Sequence, residues 1–70
     1  MMPLALATVG EENIIRKISG RTEVRQHLEN LGFVVGSVVT VITSMGGNII
    51  VNVKDSRVAI SREMAGKIMI

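Results

Sequence analysis

The chain has no cysteine, no tryptophan and no tyrosine. Without a thiol there is no disulfide, no thiolate metal site and no cysteine nucleophile. The same absence fits a reducing compartment. Phe33 is the only aromatic residue. A surface that stacks successive single-stranded bases on aromatic rings therefore has too few rings to form. No run of like charges forms a nucleic-acid tail. No apolar run approaches the ~18 residues of a spanning helix. The N-terminus lacks the basic region of a signal peptide, and Gly10 to Asn13 ends its apolar part early. These absences point to a soluble, cytoplasmic protein with no membrane insertion.

What is present is a single domain, residues 1–70. A chain of this length buries only about 60% of its unfolded surface, so its core is small. Eight Lys and Arg against six Asp and Glu leave a net charge of +2. Almost half the residues are apolar, 47%, so Val, Ile, Leu and Met must build the core. So small a domain cannot hide them all. Apolar patches left outside mark partner sites.

The sequence turns on Thr22 to Val53. Val24, His27, Leu28 and Leu31 fall at i, i+3, i+4 and i+7, one face of a helix. Thr22 is placed to cap its first turn, and Glu23 sits at the positive end of its dipole. Gly32 is placed to end it at positive φ, with Leu28 and Phe33 as the contacting pair of a Schellman motif. Gly36 supplies a second positive φ, at the third position of a type II turn. Val38 to Ser44 is β-branched almost throughout and reads as a strand. Met45, Gly46, Gly47 and Asn48 make a hairpin tip, and Ile49 to Val53 returns. Period-two alternation puts Val39, Val41 and Thr43 on one face, and Ile49, Val51 and Val53 on one face.

Before this stretch, Leu4 and Leu6 are set to dock as an irregular lead-in containing Pro3. Gly10 to Asn13 reads as a turn, with Asn13 suited to the left-handed region. Ile14 to Ile18 reads as the first strand. Ile15 and Ile18 are three apart, which suggests a bulge. After the hairpin, Lys54, Asp55 and Ser56 turn the chain into Arg57 to Ile60. Ser61 can cap a turn over Arg62 to Ala65, Gly66 ends it, and Lys67 to Ile70 is the last strand. The expected fold is mainly β: a small five-stranded barrel, one short helix between strands 1 and 2, and a helical turn before the last strand.

Catalytic chemistry finds no footing. No nucleophile–base pair is available, and Met45 to Asn48 lacks the ending of a phosphate-binding loop. The reading is therefore no enzyme. Glu23 and His27 lie four apart on the helix and are the one metal candidate. Two side chains are short of the three or four ligands that zinc takes, so no cofactor is expected beyond weak divalent metal binding. Arg16, Lys17, Arg21 and Arg25 cluster in sequence. They read as a solvated rim, or a rim facing an acidic partner, rather than a nucleic-acid surface. Val38 and Ile50 alternate away from the core residues. They are expected to point outward near Met45, a residue type common on adaptable binding surfaces. Val38, Met45 and Ile50, with Arg25, are the partner-binding candidates.

Two blocks carry a resemblance: L-x-x-L-G-F-x-x-G-x-x-V-x-V over Leu28 to Val41, and R-V-A-I-S-R-E-M-A over Arg57 to Ala65. Together they resemble the ferrous iron transport protein A (FeoA) family, from Leu4 to Ile70. The family often has proline where Val35 stands and glycine where Asn13 stands. The resemblance implies an SH3-like barrel. It also implies an adaptor that binds the cytoplasmic part of a FeoB-type ferrous iron permease. The sequence leaves two other readings open: a nucleic-acid-binding small barrel, and a metal-responsive module related to the C-terminal domain of iron-dependent repressors. A homo-oligomer is open too.

Overall fold

A computed structural model describes all 70 residues, Met1 to Ile70. The strands are β1 (Glu12–Ile14), β2 (Lys17–Ile18), β3 (Val38–Met45), β4 (Asn48–Val53), β5 (Ser56–Ser61) and β6 (Ile68–Met69). The helices are α1 (Thr22–Asn30) between β2 and β3, and the single turn α2 (Arg62–Ala65) before β6. A 3-10 turn, Leu4–Leu6, precedes them. One antiparallel sheet runs in the order β1-β3-β4-β5, and a second pairs β2 with β6. Pro3 bridges Met69 on the other side of β6.

The two sheets close on one core. Its thirteen buried residues are all apolar. Leu4, Ile15, Ile18, Leu28, Phe33, Val39, Val51 and Ile68 come from almost every element. Burial on that scale is the main favourable term for so short a chain. Leu4 is fully buried as expected, but Leu6 is 68% exposed. The 3-10 turn directs only one of the two leucines inward.

The helix end follows the sequence closely. Gly32 has φ +108°. Phe33 N–H donates to Leu28 C=O at 2.9 Å and Gly32 N–H to Glu29 C=O at 2.9 Å, the two bonds of a Schellman motif. Leu28 and Phe33 are both fully buried. Gly36, at φ +94°, is the third residue of a turn closed by Ser37 N–H to Val34 C=O, 2.9 Å. The helix start differs from expectation. Arg21 occupies the N-cap and makes no side-chain cap bond, so Thr22 is the first helical residue. Ser61 does cap α2, accepting from Met64 N–H at 3.1 Å.

The first strand is divided. Glu12, Asn13 and Ile14 pair with Thr40, Val39 and Val38. Lys17 and Ile18 pair with Met69 and Ile68. Between them the backbone changes partner: Ile15 N–H donates to Ser37 C=O, and Arg16 N–H to Met69 C=O. The three-residue spacing of Ile15 and Ile18 marks this corner rather than a bulge. Both are buried in the core, Ile15 just after β1 and Ile18 in β2. Asn13 is accordingly a strand residue, and Gly10, at φ +86°, makes the turn.

The bulge lies elsewhere. Val41 pairs with Val51 but Thr43 pairs with Ile50, leaving Ile42 as the extra residue of β3. One added residue reverses the side-chain alternation. Thr43 thus leaves the face that Val39 and Val41 share and joins Ile50 on the outer face. Both hairpin turns have two residues. Gly46 carries φ +59° and Gly47 is not in the left-handed region, the type II′ pattern. In the other turn Lys54 and Asp55 both have positive φ, 49° and 62°, the type I′ pattern without its usual glycine.

Candidate interaction surface

The outer face of the four-stranded sheet can be built row by row from the register. Ile14 stands beside Val38. The next row is Glu12, Thr40, Asn52 and Arg57. Beyond the bulge comes Thr43, Ile50 and Ala59, then Met45, Asn48 and Ser61. Directly opposed residues share a face, and successive residues alternate. Val38, Ile50 and Met45 therefore lie on one outer surface.

They do not form one strip. Val38 is 45% exposed at the start of β3, whereas Met45 is at its far end beside the hairpin tip. The polar row through Thr40 and Asn52 separates Val38 from Ile50, which is half-buried. Contrary to the sequence expectation, Val38 is not near Met45: the eight residues of β3 set them at opposite ends of the strand.

What joins Val38 instead is Ile14, 44% exposed. The Val34–Ser37 turn adds to this end of the sheet. Gly36 N–H donates to Ile15 C=O at 2.8 Å and Ile15 N–H to Ser37 C=O at 2.9 Å, tying the turn to the end of β1. Val35, 60% exposed, and Val34, 37% exposed, belong to this turn. Sequence reasoning alone does not single out Ile14, Val34 or Val35. The signal for Ile14 is its alternation against buried Ile15, which becomes readable only once β1 is known to pair with β3. Next to the apolar end lies an open groove of about 610 Å³ whose walls include Glu12, Val38, Thr40, Asn52, Lys54 and Asp55. Its polar walls offer donors and acceptors beside an apolar rim.

Arg25 is not part of this surface. It lines a separate depression on α1 with Thr22, Gln26 and Glu29. Glu23 and His27 are exposed on the same helix. No third His, Asp or Glu joins them within reach of a shared ion.

The architecture is that of a small SH3-like barrel. Comparison with known proteins then places it. The FeoA domain family model matches residues 2–70, and the chain belongs to that family. It is 41% identical over 70 residues to a Methanocaldococcus jannaschii protein assigned as Fe(2+) transport protein A, covering all of this chain and 85% of that one. A crystal structure of an iron uptake regulatory protein (FeoA) superposes with TM-score 0.89 at 35% identity, covering 97% of this chain and 90% of that one. The fold is shared with a zinc-complexed FeoA of Stenotrophomonas maltophilia, described as a prokaryotic SH3 domain protein. There the TM-score is 0.85 at 20% identity, over 99% of this chain and 88% of that one. No helix of the chain is long and apolar enough to cross a membrane.

Proposed function

We propose that this chain is a small, non-enzymatic, cytoplasmic adaptor of ferrous iron uptake that docks on the cytoplasmic part of a FeoB-type permease. The observation that carries the docking surface is the exposed Ile14–Val38 pair, with Val35 close by, on the outer face of the sheet. Contiguous apolar patches on the surface of a small domain are a mark of protein interaction sites. Family membership supplies the pathway. The M. jannaschii relative carries the Fe(2+) transport name, and the S. maltophilia FeoA is described as a candidate ferrous iron transport activating factor. Ile50 and Met45 lie farther along the same outer face, beyond the polar row of Thr40 and Asn52, and Arg25 on α1 stays outside the contact.

The test is a calorimetric titration of the permease's cytoplasmic region with wild type and with Val38→Lys. Val38 is exposed, so the variant keeps its melting temperature within a few degrees. A lysine placed in the centre of an apolar contact weakens binding by about tenfold or more. A folded Val38→Lys variant that binds as tightly as wild type removes this surface from the account.

A further inference from the structure

We infer that β5 is a self-association edge: two copies of this chain pair antiparallel along Arg57 to Ser61, with the twofold axis at Ala59. This inference rests on the fold alone and does not depend on the permease reading.

The register shows which backbone groups of β5 are free. In a two-residue hairpin the residues flanking the turn exchange both hydrogen bonds, and bonded pairs then alternate along the ladder. The Lys54–Asp55 turn makes Val53 and Ser56 such a pair, so Ser56, Val58 and Ile60 direct their N–H and C=O toward β4. The Gly46–Gly47 turn gives the same answer from the other side. It makes Met45 and Asn48 a bonded pair, which leaves Ile49, Val51 and Val53 to serve β5. A third observation agrees. Arg62 N–H donates to Gly47 C=O at 2.9 Å, as the alternation requires one position beyond the Asn48–Ser61 pair. Arg57, Ala59 and Ser61 therefore turn their N–H groups to the open edge. No turn, loop or cap hydrogen bond uses the backbone of Arg57 or Ala59.

Edge strands in monomeric proteins are ordinarily blunted by proline, lysine, bulges or shortness. β5 has none of these. It runs six residues, Ser-Arg-Val-Ala-Ile-Ser, in unbroken register with β4. Arg57 is its only charge.

The sequence of β5 fits a copy of itself. With the axis at Ala59, the two Ala59 residues exchange N–H and C=O, and their methyl groups allow close approach. Each Arg57 faces Ser61 of the other copy, so the arginines do not oppose one another. Each half-buried Val58 lies against the other copy's Ile60, an apolar cross-strand pair. The result is an isologous contact that joins two four-stranded sheets into one of eight.

A single strand pair is a small interface, so the association should be weak and concentration-dependent. The experiment is sedimentation of the full chain up to about 2 mM, a range suited to contacts of this size, with amide exchange at both ends of that range. The expected result is a monomer–dimer equilibrium in which the Ala59 and Ser61 amides are protected only at high concentration. Ala59→Pro removes an edge-facing donor and leaves the ladder to β4 intact, because proline is tolerated where its nitrogen faces away from the ladder. That variant should keep the barrel and remain monomeric. Wild type that stays monomeric throughout overturns the inference, and leaves any strand partner to be another protein. So does a dimer whose Ala59 amide exchanges as fast as in the monomer, or one that survives Ala59→Pro. If Ala59→Pro fails to fold, the wild-type exchange pattern alone decides.

Discussion

At the scale of single residues, Gly32 constrains the fold most sharply. Its φ of +108° lies where side chains are strained. A Cβ built there meets Val53 Cγ1 at 3.5 Å, ordinary contact, so the obstacle is the backbone angle and not space. Gly32→Val should therefore lose about 2–3 kcal/mol in a denaturant melt, the upper part of the usual range for a non-glycine residue held in such a conformation. A midpoint unchanged from wild type would mean that the Schellman ending is not needed. Lys54 and Asp55 give the opposite case. Both hold positive φ without glycine, so the type I′ turn carries strain. The double change Lys54→Asn, Asp55→Gly should raise stability by about 1 kcal/mol, within the range that turn optimisation commonly gives. Loss of stability would show that these two side chains do something the turn needs.

At the scale of elements, alternation can be tested directly. Ile49 is 2% exposed and faces the core, while Ile50 stands on the outer face between Thr43 and Ala59. Ile49→Lys buries an unpaired charge and should unfold the domain. Ile50→Lys lets the stem lie on the sheet with its ammonium in water, and should cost no more than about 1 kcal/mol. Thermal melts of the two variants that came out alike would break the register.

This is also the scale that separates what the sequence discloses from what it does not. The Gly32 ending, the Gly36 turn, the Met45–Asn48 tip and the Ser61 cap are local. Each is fixed by residues within five positions, and each is readable. The corner at Ile15–Arg16 depends on β6, more than fifty residues away in the chain. The extra residue at Ile42 emerges only when β3 and β4 are aligned with each other. By residue type Thr22 is the better cap, since its hydroxyl can accept from a free N–H and the arginine side chain cannot. The helix begins one residue early because Arg25 N–H bonds to Arg21 C=O at 3.0 Å. The candidate surface divides in the same way. Val38 follows from alternation along β3, but its neighbour Ile14 follows only from the pairing of β1 with β3.

At the scale of the whole molecule, an all-apolar core is closed by two sheets, and the side chains left over are carried on the outer faces. The central claim is that the end of the sheet around Ile14 and Val38 meets the partner. Amide chemical-shift mapping tests it most directly, with the labelled domain titrated by the unlabelled cytoplasmic region of the permease. The account predicts that the largest perturbations fall on Glu12 to Ile14 and Val34 to Thr40, with smaller ones at Asn52 and Ile50. Perturbations confined to α1 around Arg25, or none at saturating partner, would contradict it.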